Sequence, residues 1–334
     1  MSIYPIQPVT FGGVRTYPLA ARKSKVTAGD LGKAVSRGVS FSKFLDSLPK
    51  ILAAQDLRDL ATFLHAARKR KKAILWGIGG HVIKVGLAPV LINLMDKGYV
   101  SGIAMNGAAL IHDFEIAMAG NTSEDVEAAI GKGQFGMAQE TGWGINEIAK
   151  LAHRTRIGYG EAAGQYLTSG IVAPKYPEMS LLVAAYKKRV PVTIHLAIGT
   201  DITHMHPSAE GAALGDASLH DFRLFCALVQ QMNDGGAYLN CGSAVLLPEV
   251  FLKAVSVARN LGVPLRSITT ANFDFIQHYR PIMNVVKRPT AASNGEKGKG
   301  SRGFAITGHH ELMLPLLAAA LAAGWPAPGR RAKR

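Results

Sequence analysis

The chain is short of the features that would cross-link it or anchor it. It has two cysteines in 334 residues, Cys226 and Cys241, so no disulfide framework can be stabilising it, and a reducing cytoplasm is the compartment this usage implies. No apolar run reaches the roughly 20 residues that span a bilayer. The longest, Leu312 to Trp325, is interrupted by Pro315. The opening MSIYPIQPVTFGGVRTYPL lacks a basic start followed by an apolar stretch, so no secretory signal is expected. Aromatic residues make up only 7% of the chain, and none interleave with the basic residues as stacking platforms for bases would. Acidic residues are also scarce, 23 against 38 Lys and Arg, which gives a net charge of +15. That excess lies at the two ends. Residues 1–50 hold eight Lys/Arg against two Asp/Glu, and residues 284–334 hold nine against two, so the body is near balance. A nucleic-acid partner is therefore not expected, and the flanks read as solvated tails or as a surface for an acidic partner.

What the chain does have is an ordinary globular composition, 48% hydrophobic and 18% charged. Short apolar runs alternate with longer amphipathic ones. Strands are expected at 73–78, 102–105, 192–198, 237–241 and 266–270. Helices are expected at 82–97, 123–130, 134–153, 217–232, 248–261 and 311–322. Such alternation predicts an α/β fold, a Rossmann-like parallel sheet with helices on both faces. The sequence Asn121-Thr122-Ser123-Glu124-Asp125 carries capping side chains and first-turn acids, so a helix should start there. Thr290–Gly303, small, polar and glycine-rich, reads as a mobile loop or a lid. The expected organisation is an N-terminal helical extension over 1–60, one domain over 61–325 and a basic tail over 326–334.

Candidate chemistry collects at the strand ends. Trp76-Gly77-Ile78-Gly79-Gly80-His81 is a glycine-rich strand-to-helix turn, where backbone amides can approach a phosphate. Asn106-Gly107-Ala108-Ala109 is a second such turn, followed by His112-Asp113-Phe114-Glu115. A third, Gly199-Thr200-Asp201, offers a carboxylate and leads into His204 and His206. Asn240-Cys241-Gly242-Ser243 and Thr270-Ala271-Asn272-Phe273-Asp274 complete the set. Five such turns on one sheet edge describe a crevice of the kind in which α/β folds bind ligands. An alternative reading places a metal among His112, Asp113, His204 and His206, although no spacing fixes one.

Laid out in order, these turns resemble the deoxyhypusine synthase family. Gly102–Glu127 is the best match, Gly77–Gly86 is similar to the preceding cofactor turn, and Leu196–Asp201 and Thr270–Asp274 are similar to two later stretches. The resemblance implies a homotetramer that binds NAD and oxidises spermidine or a related polyamine by hydride transfer. The aminobutyl group would then pass through an imine on a lysine to an acceptor protein. Carried over residue by residue, the NAD contacts would be Gly80, His81, Asn106, Gly107, Ala108, Asp201, Gly242, Ser243, Thr270, Ala271 and Asp274. The catalytic set would be Lys287, His112 and Asp113, with no resident metal. Where the family has a glutamate for the amine this chain has His112, and the segment Gln277–Asn284 carries no acid. A protein of the same fold that binds NAD without catalysis is a further alternative.

Overall fold

A computed structural model describes residues 3–291 and 300–326. Most of the expected lid and all but the first residue of the expected basic tail lie outside the described residues. Six strands form one sheet, every neighbouring pair parallel. They are β1 (Ile74–Ile78), β2 (Gly102–Asn106), β3 (Val192–His195), β4 (Ala237–Cys241), β5 (Thr269–Asp274) and β6 (Arg302–Thr307). Their order across the sheet is β3-β2-β1-β4-β5-β6. This is the doubly wound order of dinucleotide-binding folds, and the chain reverses direction across the sheet between β1 and β4.

β1 is a near-continuous apolar run and β2 and β4 are largely apolar, because both faces of the sheet are covered, whereas β5 (TTANFD) is buried throughout yet mostly polar. Ile74, Trp76 and Ile78 enter one core while Ala73 and Leu75 enter the other, as the two-residue period of a strand requires. Before β1 come α1 (Phe41–Ser47), capped by Ser40, and α2 (Leu52–Lys69). Helix α2 straddles residue 60 and buries Leu57, Leu60, Ala61 and Leu64 on one face, which packs on the sheet. Upstream of α1 the chain carries short turns whose apolar residues, Ile3, Ile6, Phe11 and Leu19 among them, are exposed.

Between β1 and β2 the expected single helix is two, α3 (Gly80–Lys84) and α4 (Ala88–Asp96). Gly86, at φ +79, makes the break in a backbone region that side chains disfavour. Next come α5 (Gly107–Ala119), α6 (Val126–Ile130), α7 (Gln139–Thr155), α8 (Tyr159–Thr168) and α9 (Leu181–Lys187). The expected helix start at 121–125 falls a few residues later, where Asp125 caps α6 by accepting from Ala128 N. Helices α10 (Gly211–Gln230) and α11 (Leu246–Asn260) cover the opposite face, where Tyr238 stacks on Phe251 at 3.8 Å. A helical turn, α12 (Tyr279–Pro281), runs into a π-helical stretch over Ile282–Lys287, and α13 (His310–Ala322) closes the first face. Among the described residues no helix is long and apolar enough to cross a membrane.

Candidate functional site

The carboxyl ends of the strands gather most of the residues expected there. After β1, Gly79 lies so close to the turn after β4 that a Cβ on it would stand 2.0 Å from Gly242 O, and Gly79 N donates to Cys241 O at 2.9 Å. Only glycine fits this crossing, which sits at the point where the sheet reverses direction. Gly80 and His81 open α3, whose first turn has no side-chain cap, although Val82 N there donates to Gly79 O at 3.2 Å. Gly242, at φ +67, sits against His310 Nε2. Ser243 is buried, with its hydroxyl accepting from Leu247 N. Asp274 ends β5 beside this turn and is buried.

Around that point stand four rings that were not read together from the sequence. His81 meets His310 edge-on at 5.3 Å, and Phe275 stacks on His309 at 5.7 Å. His310 is buried and donates through Nε2 to Phe273 O at 2.9 Å, which leaves a sealed Nδ1 without a partner. Asn240 Oδ1 is likewise buried and unpartnered, while the amide of Asn240 is held by Ser243 O and Asn272 Oδ1. Buried polar atoms without a protein partner occur elsewhere in the molecule too, and those behind this glycine turn are of the kind that a polar ligand or a water satisfies. Together with the strand order they fit NAD. Asn106 departs from the usual ribose-binding acid at the end of β2, because its side chain caps α5 by accepting from Ala109 N at 2.9 Å.

A cleft of about 920 Å³ opens beside α3 and α5. Its polar lining includes Lys84, His112, Glu115, Thr122, Thr141 and Asp201, and Glu124 and Glu140 add two further carboxylates. Asp201 packs on the first turn of α5, its Oδ2 only 2.0 Å from where a Cβ of Gly107 would be. Burial pushes its carboxyl above the usual range, which the nearby His204 partly offsets. His112 reaches the cleft from the next turn of α5. Burial, helped by the Lys84 ammonium, lowers its imidazole to about 4, so the ring is neutral at ordinary pH.

Three placements differ from expectation. Thr270 and Ala271 are fully buried near the start of β5, four and three residues before Asp274. At about 3.3 Å per residue that puts Thr270 roughly 13 Å from the ligand edge, so neither touches a ligand there. Asp113 is fully buried away from the cleft, accepting from Ser180 Oγ at 2.5 Å, Leu181 N at 2.7 Å and Leu182 N at 3.1 Å. Burial pushes its carboxyl up to about 6 against the pull of those bonds. Its role is to cap α9.

Lys287 is exposed at the opposite edge of the sheet. Its neighbour Val286 packs its carbonyl against Gly303, which pairs with Thr270 near the start of β5, and Pro289 O accepts from Arg259 at the far end of α11. The π-helical segment carries the chain down the sheet, away from the crevice. Lys287→Ala is therefore expected to leave turnover at the cleft within about twofold of wild type; a loss of orders of magnitude in a rate assay would contradict this placement.

The metal alternative also fails on geometry. Among the described residues no three His, Cys, Asp or Glu side chains are gathered closely enough to hold an ion. His204 accepts from Gly199 N and Asp201 N through Nδ1 while its Nε2 is buried without a protein partner, and His206 Nδ1 is paired with Ser208. Thr122 and Thr141, which contact Glu115, had no signal in the sequence beyond the capping pattern around Thr122.

No family model matches the sequence, and no curated protein matches it. Solved structures do. A protein provisionally assigned as a deoxyhypusine synthase, from Entamoeba histolytica, superposes with a TM-score of 0.51 at 12% identity, over 87% of this chain and 96% of that one. The fold is deoxyhypusine synthase-like. A conserved protein provisionally assigned as LOR/SDH, from Methanococcus maripaludis S2, gives 0.50 at 16% identity over 82% and 71%. The AgrE ternary complex with ornithine and NAD+ gives 0.46 at 17% identity; the match covers 80% of this chain but 32% of AgrE.

Proposed function

We propose that this deoxyhypusine synthase-like protein is an NAD-dependent enzyme that oxidises a small amine, a polyamine such as spermidine or a relative of it. The observation that carries the reading is the carboxylate-lined cleft whose Ala108 and His112 pack against Gly80, in the turn after β1 of a dinucleotide-type sheet. Its volume suits a small organic ligand. Glu115, Glu124, Glu140 and Asp201 outnumber Lys84 and Lys175 in its lining, so it favours a cation. Glu115 lies one helical turn beyond His112 and supplies the acid that the sequence comparison found wanting there.

NAD, when bound, supplies an acceptor for hydride from the carbon next to the amine nitrogen. The carboxylates draw the ammonium into the cleft. Among the described residues His112 is bonded through Nδ1 to Thr122 and shows no partner for Nε2, which accepts a hydrogen bond from the amine and so fixes which carbon faces the cofactor. The fuller form of the reading, transfer of an aminobutyl group to an acceptor protein by a homotetramer, gains support from apolar residues left exposed on the segments framing the cleft. Val126, Ile130, Met137, Trp143 and Met205 form the kind of surface a partner covers. Any transfer step runs without Lys287.

The test is a panel of amines incubated with protein and NAD, read by NADH fluorescence. Turnover of a polyamine supports the reading. NAD binding with no turnover of any amine would favour the non-catalytic binding protein. The pH profile adds a second check. His112 is a neutral acceptor above about pH 4 and a cation below it, with Lys84 from α3 disfavouring its charge and Glu115 at 4.0 Å from Nδ1 on its own helix. Apparent amine affinity should therefore fall as the pH drops toward about 4, where His112 gains charge while the cleft carboxylates lose theirs, with no separate break near 6.5 where an ordinary histidine titrates.

A further inference from the structure

We propose that Glu115 and Thr122 are positioning residues that lock His112 in its Nδ1–H tautomer and so present an unprotonated Nε2 to the cleft. The amine substrate rests on the reading above; the tautomer does not.

The argument starts from hydrogen counting. A carboxylate has only acceptors, and a threonine hydroxyl has one proton to give. Thr122 Oγ1 donates to Glu115 Oε2. The same oxygen lies 2.7 Å from His112 Nδ1 and, its proton already committed, can serve that nitrogen only as an acceptor. Nδ1 therefore carries the hydrogen, and in a neutral ring Nε2 is bare. The other oxygen of Glu115 accepts from Thr141 Oγ1 at 3.0 Å, so the carboxylate is held from two sides and cannot turn away.

The backbone builds this arrangement. His112 and Glu115 share a face of α5 one turn apart. Gly120, at φ +77, ends α5 in a left-handed cap with three ring atoms of Tyr176 2.5–2.9 Å from where a Cβ would stand. That cap folds the chain back so that Thr122 lies over the helix it has just left. Thr141 comes from the first turn of α7. Three segments thus converge on one carboxylate whose protein contacts all lead to His112 or hold it in place.

Nitrogen NMR of the full chain carrying ¹⁵N-labelled histidine reads the tautomer directly, with His112→Phe assigning the signal. The expected result at neutral pH is a protonated Nδ1 and a pyridine-like Nε2. Thr122→Val, which keeps the shape and removes the hydroxyl, should lose that preference, and Thr122→Ser should restore it. Where an amine is turned over, Thr122→Val should slow it roughly tenfold, about the worth of one hydrogen bond, with NAD affinity unchanged and Thr122→Ser recovering the rate. A protonated Nε2 in the wild type, or an unaltered tautomer in Thr122→Val, would overturn the relay whatever the activity. The expected tautomer with no amine turnover would keep the relay and remove the amine reading.

Discussion

A chain carrying His112→Phe is expected to bind NAD as the wild type does and to oxidise its amine about a hundredfold more slowly, the size of effect that misplacing a substrate produces. The phenyl ring keeps the volume that packs against Gly80, where a Cβ would stand 3.0 Å from His112 Cδ2. It removes both nitrogens. The amine then keeps its carboxylates, Glu115 included, but loses the acceptor that orients it, so the loss should fall on kcat more than on KM. Single-turnover kinetics with NADH fluorescence as the readout would separate the two. Unchanged turnover would move the reacting carbon elsewhere along the sheet edge and leave His112 as a wall of the cleft.

Asp113→Ala should do the opposite: it should damage the fold and spare the chemistry. Asp113 is sealed from solvent and accepts from one hydroxyl and two backbone amides at the start of α9. Truncation leaves those three donors buried without an acceptor, at about 1–3 kcal/mol for each group left unpaired. A total of at least about 3 kcal/mol is expected, large beside the usual stability of a domain, and readable as a lowered urea midpoint with an unchanged slope. The folded fraction should bind NAD normally. Full stability with lost activity would return Asp113 to the catalytic set.

The adjacent pair His112-Asp113 shows what the sequence could and could not disclose. Both are titratable, both follow a glycine turn, and they differ by one position on a helix, which turns each residue 100° from the last. One therefore faces the cleft and the other faces α9, and only the packing of α5 against its neighbours decides which. The strands were more legible. β1, β2 and β4 lie almost where their apolar runs place them, because strands covered on both faces favour apolar runs, whereas the buried but polar TTANFD of β5 carries no such run. β5 begins three residues later than expected, and that shift is why Thr270 and Ala271 fall inside the sheet while Asp274 alone reaches its edge. β6 was hidden in a glycine-rich stretch, since an edge strand with half-buried positions needs less apolar sequence than a central one. The Glu115–Thr141 contact joins residues 26 positions apart, and Lys287 is carried over from the family resemblance while the π-helical stretch takes it down the sheet. No local pattern carries either fact.

The account stands on a cofactor at the carboxyl edge of the sheet, and calorimetric titration of the purified chain with NAD tests it most directly, run beside Asp274→Ala. Asp274 is the one carboxylate buried at the end of β5, next to the β1–β4 turn crossing. A charge-assisted hydrogen bond from a ligand hydroxyl to it is worth about 1.5–3 kcal/mol, so saturable binding weakened at least tenfold by the substitution is the predicted result. Absence of binding at about 1 mM NAD, where even a dissociation constant worth only about −4 kcal/mol would show, would contradict it and leave the cleft without its hydride acceptor.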